Sequence, residues 1–223
     1  MRRLSLALLT ILVALPLHGA AAQIIRGDRF ALRDPQTWVS AMYGWQEGWT
    51  VMDGRTNSRW DLGDIQQYGA SIERAVMSGV TLGVRATTAA PEVRYEAFGL
   101  PATAGGAATI FPGEARVTQA LGIVHVSTGR QLRSVFELGL GATIYSPIKH
   151  QATGETLGDT RTDSDFAFSF TYGLGYSLSR NFHVDVVQDL GTSLHQKTGL
   201  AAGEDRSARI RTTRLVARYG LGG

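Results

Sequence analysis

The strongest constraint in this chain is an unbroken alternation between residues 166 and 178. Phe166, Phe168, Phe170, Tyr172, Leu174, Tyr176 and Leu178 fall on one parity; Ala167, Ser169, Thr171, Gly173, Gly175 and Ser177 fall on the other. Successive side chains of a β-strand point to opposite faces, so the segment predicts a strand with one aromatic face and one face of small residues. A soluble barrel would bury its apolar side chains and show polar ones to water. Here the second face is too small and polar to form a core, so the aromatic face must look outward, toward a medium as apolar as itself.

Seven further segments carry the same period, giving predicted strands at about 37–47, 64–77, 80–91, 115–127, 133–147, 165–178, 182–193 and 208–220. In the fifth, Phe136, Leu138, Leu140, Ala142 and Ile144 oppose Glu137, Gly139, Gly141, Thr143 and Tyr145. In the seventh the parity breaks near Val186-Val187, which predicts a bulge. The connections alternate in length. Met77-Ser78-Gly79, 129–132 and Ser179-Arg180-Asn181 are short, whereas 48–63, 92–114, 148–164 and 194–207 are long and rich in Gly, Thr, Asp and charge. Short turns at one rim, long loops at the other and strands of about ten residues are the pattern of a transmembrane barrel. The predicted fold is all-β: an eight-stranded antiparallel up-and-down transmembrane β-barrel, with short periplasmic turns and long extracellular loops.

The N-terminus agrees with export. Arg2 and Arg3 precede an apolar run from Leu4 to Leu17, and Ala20-Ala21-Ala22 supplies small residues for cleavage, so 1–22 reads as a signal peptide. Residues 23–36 read as a periplasmic tail and 37–221 as the barrel. Without the two signal arginines the mature chain has 20 basic and 19 acidic side chains, a net charge of about +1 that leaves no electrostatic footprint for nucleic acid. With no Cys, both a lipidated N-terminal cysteine and disulfide stapling are excluded.

From about residue 37 to 221 the chain resembles the small eight-stranded outer-membrane barrels, a family that includes the membrane domain of outer membrane protein A. Leu215, Ala217, Tyr219 and Leu221 match the apolar alternation of that family's last strand, although this chain ends Tyr219-Gly-Leu-Gly-Gly without the terminal Phe or Trp. The resemblance implies residence in the bacterial outer membrane, with membrane lipid and lipopolysaccharide as neighbours.

Eight strands enclose an interior that side chains fill. Parity points Glu73, Arg85, Glu137, Asp185, Arg214 and Arg218 inward, in one layer near the short-turn rim, with Glu73 and Arg85 near-mirrored about the turn at Ser78. Charges removed from water need partners, so these six predict a lumen salt-bridge network. A proton or ion path is the rival reading. Aromatic belts at the two interfaces are expected from Trp38, Tyr176, Phe182 and Tyr219 on the short-turn side and from Trp45, Trp60, Phe166 and Phe168 on the other. Trp49 and Trp60 flank the first long loop, where a sugar-stacking pair is the alternative.

His125-Val126-Ser127, with Glu137 ten residues on, is similar to the His-x-Ser element of outer-membrane lipid A deacylases. The resemblance implies a base, a nucleophile and an orienting acid. His150 and His195 at loop bases lack metal-ligand spacing, so neither a metal nor a cofactor is expected. The glycine pairs 139/141 and 173/175 lie inside strands and are expected to make room for bulky inward neighbours. The second long loop is unusually apolar, either extending its strands, folding over the mouth or meeting a partner. The expected role is that of a monomeric structural or interaction protein, with partners meeting loops 48–63 and 92–114 and no catalytic centre. A lipid-modifying enzyme and a porin-like or ligand-carrying barrel are the alternatives.

Overall fold

The computed structural model describes residues 35–98, 109–195 and 207–221. The expected signal peptide, nearly all of the expected tail, and residues 99–108 and 196–206 of two long loops lie outside the described residues. Eight long strands, β1 (Thr37–Gln46), β4 (Ile65–Met77), β5 (Val80–Ala89), β8 (Val117–Gly129), β9 (Leu132–Tyr145), β12 (Asp163–Ser177), β13 (Phe182–Leu194) and β14 (Ser207–Leu221), form a closed antiparallel barrel in the order β1-β14-β13-β12-β9-β8-β5-β4. Closure is by β1 on β14, in register from Thr37↔Leu221 to Gln46↔Thr212.

Burial alternates along every strand as the sequence period requires. Phe168 and Leu140 are 42% and 62% exposed on the outer wall, whereas Ala167 and Ser169 are buried. Two short turns depend on glycines in the left-handed region, Gly79 at φ 74° and Gly129 at φ 109°. The bulge expected at Val186-Val187 is absent, because β13 keeps register from Phe182 to Leu194. Val187 is simply an apolar inward residue, packed with Met42, Val135 and Val216. The register shift lies instead in the first hairpin, between Ala75 and Met77.

Three of the expected long loops contain strands. β2 (Trp49–Asp53), β3 (Ser58–Leu62), β6 (Glu92–Ala97), β7 (Thr109–Glu114), β10 (Ile148–His150) and β11 (Thr156–Leu157) form a second sheet in the order β11-β10-β7-β6-β3-β2. Five of these strands are continuations of barrel strands across two-residue breaks at 47–48, 63–64, 90–91, 115–116 and 146–147. Gly48, Gly63, Pro91 and Pro147 occupy four of the breaks, where glycine bends the chain and proline removes a ladder donor. The interrupted ladder is patched: the Gly63 amide donates to the Glu92 carbonyl at 3.0 Å, the Ser146 amide to the Arg116 carbonyl at 2.9 Å, and the Gly48 amide to the Asp64 carboxylate at 2.7 Å.

At this ring of breaks the wall reverses polarity. Below it the outer face is apolar and the lumen polar. Above it the inner face carries Trp49, Val51, Trp60, Leu62, Val93, Tyr95 and Ile148, all buried in one cluster, while Thr50, Arg59 and Arg94 are exposed outside. β14 reverses at the same level: Ala208 and Ile210 belong to the apolar cluster, but Thr212, Arg214 and Arg218 face the lumen as buried polar groups. The apolar second loop is thereby explained. Its flanks extend β5 and β8 as β6 and β7, and its apolar residues Val93, Tyr95 and Phe111 line or adjoin the inner core.

Candidate functional site

All six charges expected in the lumen are buried there. They join two residues that had not been singled out, Arg133 and Asp189, so four guanidinium groups face four carboxylates. Arg85 pairs with Glu137 and, at 3.0 Å, with Asp189. Arg214 stands 3.4 Å from each of the same two carboxylates. Nearer the short-turn rim, Arg218 meets Glu73 at 2.6 Å and Arg133 meets Asp185 at 2.6 Å. Hydroxyl groups satisfy further lone pairs: Ser71 donates to Glu73 and Thr171 to Asp189, each at 2.9 Å.

The network differs from the expected one in two respects. It has two tiers rather than one layer, because Arg214 and Arg218 are two inward positions apart on β14, with Val216 between them. Glu73 and Arg85 also do not pair with each other; with the register shift near Met77, Arg85 is opposite Ser71 and Glu73 opposite Gly83. Small residues create the space. A Cβ on Gly175 would lie 2.0 Å from the Asp185 carboxylate and 3.0 Å from Arg133. Gly141 and Gly173 serve another end, since a Cβ there would strike the neighbouring strand's backbone at 2.0 and 2.2 Å. A cavity among Met42, Glu73, His125, Arg214 and Arg218 measures about 20 Å³, room for a single water.

His125 lies in this network, 3.6 Å from Glu137 through Nδ1, while its Nε2 accepts a hydrogen bond from Arg218. Ser127 instead accepts one from Arg133 at 3.3 Å. The nitrogen that would take a serine proton is thus occupied by a guanidinium, and His125, Ser127 and Glu137 do not line up as a relay. His150 accepts amides of its own turn, from Ala152 and Thr153. Among the described residues no group of three or more His, Cys, Asp or Glu side chains is arranged to hold a metal.

Trp45, Phe166, Phe168, Tyr176 and Tyr219 are exposed on the outer wall, and Phe182 shares its parity with them. Two residues expected in the belts are not there. Trp38 has the parity of Ser40 and Met42 and turns inward, its ring 5.2 Å from the Arg218 guanidinium and 4.6 Å from the His183 ring. Trp60 is above the breaks, where parity has the opposite meaning; it is buried on the inner face of β3 and donates to Ser58 at 2.8 Å. Trp49 is buried in the same cluster, so the two rings form no open stacking platform.

A second polar cluster closes the barrel mouth. His195, at the end of β13, contacts Asp165 of β12 through Nδ1 at 2.8 Å and has Asp53 of β2 3.8 Å from Nε2. The rings of Trp60 and Tyr145 flank it at 5.3 and 6.1 Å. Arg55 reinforces the same connection from outside, reaching Asp159 at 3.1 Å and Asp163 at 2.5 Å. The β2-β3 hairpin is therefore clamped to the opposite wall. Burial alone would lower the His195 pKa, but the two carboxylates outweigh it and lift the pKa from 6.5 to about 9. Burial likewise opposes ionisation of Asp53, yet its bonds to His195, Thr56 and the Arg55 amide bring it down from 3.8 to about 2.

No family model matches the chain, and no curated protein matches its sequence. Among solved structures, Neisserial surface protein A aligns with 83% of this chain and 97% of its own at 10% identity and a TM-score of 0.51. Ail, the attachment invasion locus protein of Yersinia pestis, aligns at 13% identity over 83% of this chain and 98% of its own, with a TM-score of 0.46. The outer membrane protein OprG from Pseudomonas aeruginosa aligns at 8% identity over 84% and 95%, with a TM-score of 0.43. At such identities the likeness is one of fold: this chain has the closed eight-stranded architecture of small outer-membrane β-barrels.

Two expectations follow. Arg85→Ala strands Glu137 and Asp189 beside fewer cations, and loss of one partner of a buried ion pair costs about 3–5 kcal/mol. Urea unfolding of the refolded variant in detergent micelles should give an unfolding free energy lower by about that amount, with the midpoint at lower denaturant. The mouth clamp should depend on pH in two opposite senses. The raised His195 pKa contributes stability fully present below pH 6.5 and lost as pH rises through about 9; the lowered Asp53 pKa contributes stability present above pH 3.8 and lost as pH falls through about 2. Limited proteolysis of the β2-β3 hairpin should accelerate between pH 7 and 10 in the wild type, whereas His195→Gln should be cut rapidly throughout.

Proposed function

We propose that the protein is exported, resides in the bacterial outer membrane with its short turns in the periplasm, and presents the second sheet outside the cell as an interaction surface above a barrel that does not conduct. The observation that carries this reading is the reversal of wall polarity at the ring of breaks. An apolar outer face is favoured where lipid surrounds the wall and a charged one where water does, so the breaks mark the outer membrane boundary.

The lumen supports the non-conducting part. Paired guanidinium and carboxylate groups reach across the interior, and the cavity among Met42, Glu73, His125, Arg214 and Arg218 measures about 20 Å³, which supports a plugged interior over an open channel. The role that remains belongs to the outer surface. Thr50, Arg59, Asp61, Arg94 and Glu96 form a mixed-charge face on β2, β3 and β6, with Asp61 opposite Arg94 and Arg59 opposite Glu96. Interaction through this face, rather than catalysis, is the reading that the geometry favours.

Cell fractionation should recover the protein with outer membranes, migrating faster on gels before boiling than after. The same protein in planar bilayers should give no steady conductance. A steady open channel would overturn the plugged lumen, and recovery in the soluble periplasmic fraction would overturn the membrane reading.

A further inference from the structure

The outer wall of the barrel is almost without charge, and its exceptions have one sign. Among the described residues of the eight barrel strands, the charged side chains with outward parity are Arg74, Arg209 and Arg211, with no carboxylate among them. Arg74 lies near the short-turn rim, opposite Thr37. Arg209 and Arg211 are successive outward residues of β14, about 7 Å apart by strand geometry. Both are exposed, and neither makes an ion pair or side-chain hydrogen bond with a described residue. This sets them apart from Arg55 and Arg59, whose guanidinium groups are paired with aspartates.

Two measures put the pair at the upper edge of the apolar band. The Arg211 carbonyl accepts the amide of Glu47, the first residue of the β1 break where wall polarity reverses. Arg211 and Arg209 also precede Tyr219 by eight and ten residues along the strand. With a rise of about 3.3 Å per residue and a tilt of about 40°, those separations span about 20 and 25 Å, the full height of a lipid-facing band. Apolar groups stand below and beside them. In register with Arg211 are Leu190 and, beyond it, Phe170; beside Arg209, Thr192 and Phe168 follow in the same way, and Trp45 projects from β1 opposite Thr213.

We propose that Arg209 and Arg211 form a site for one phosphorylated glycolipid of the outer leaflet, the lipid A part of lipopolysaccharide. The guanidinium groups hold a phosphate at the headgroup level while acyl chains lie along Leu190, Phe168 and Phe170. Guanidinium presents a planar pair of donors that matches phosphate oxygens, and a phosphate supplies the anionic partner that no described residue gives the two arginines. Glu47, exposed across from Arg211, makes no ion pair with it and repels an anionic occupant, one negative charge against the two guanidinium charges. The site rests on the membrane orientation proposed above.

The test uses the full mature chain refolded into phosphatidylcholine vesicles, with lipid A added in its phosphorylated form or after chemical dephosphorylation. Vesicle flotation reports insertion, and native mass spectrometry of protein extracted from the same vesicles reports bound lipid A. Wild type should retain phosphorylated lipid A at least tenfold better than the dephosphorylated form. The double variant Arg209→Ala/Arg211→Ala should float equally well yet lose that preference, and Arg74→Ala should keep it. Equal retention of both lipid A forms by floating wild type, or an unchanged preference in the double variant, would overturn the site while leaving the membrane reading intact. Failure of the wild type to float would overturn the membrane reading, and the site with it.

Discussion

Eight strands leave too little room inside a barrel for water to solvate an ion, so every charge in the lumen must be neutralised by another side chain. Most of this structure is organised around that requirement. Arg85 and Arg214 share Glu137 and Asp189, Arg218 takes Glu73, and Arg133 takes Asp185. The partners of each pair come from different strands, and Arg85 and Asp189 come from opposite sides of the barrel, so the pairing fixes the cross-section as well as the charge balance. Replacing such pairs by apolar side chains of similar volume is often neutral or stabilising. Their presence here therefore speaks more for a defined, closed interior than for extra stability.

The same wall answers to two solvents. Below the ring of breaks an apolar face looks out and a polar one looks in; above it the faces exchange. Because a strand's period of two is rigid, the exchange is made by the residues themselves and by local kinks at Gly48, Gly63, Pro91 and Pro147, without a change of topology. The upper sheet gains an ordinary soluble-type core from Trp49, Val51, Trp60, Leu62, Val93 and Tyr95. The His195 clamp then holds its free hairpin across the mouth. Arg209 and Arg211, which pair with no described residue, sit where the two regimes meet.

Much of this was legible before any coordinates. Strand number, order and turn positions follow from period-two alternation and loop lengths, and the eight long strands begin and end within three residues of the expected bounds. The six named lumen charges follow from parity, and Arg133 and Asp189 carried the same signal, on the parity of Glu137 and Asp185. What parity could not supply was partner choice: Glu73 and Arg85 are diagonal neighbours across β4 and β5, yet Glu73 pairs with Arg218 and Arg85 with Glu137 and Asp189. Nor could it supply the polarity exchange. Trp49-Thr50-Val51, Trp60-Asp61-Leu62 and Val93-Arg94-Tyr95 do alternate, but in runs of three to six residues cut by glycine and proline, with the meaning of each parity reversed. Trp60 was misassigned for that reason. Trp38 was misassigned against its own parity: it and Trp45 lie seven residues apart in one regular strand and cannot both face outward, and its contacts with Arg218 and His183 agree with the inward face. His195 and Asp53, distant in sequence and separated by most of the barrel, meet only through tertiary structure.

The central claim is that opposite parities of one strand face lipid and a sealed polar interior. It can be read directly because the chain has no native cysteine. Single cysteines placed in turn at positions 166 to 171 of β12 would be labelled with bimane and examined in vesicles containing brominated lipid. Strong quenching at 166, 168 and 170 with little at 167, 169 and 171 is the expected result; uniform quenching, or the opposite alternation, would contradict it.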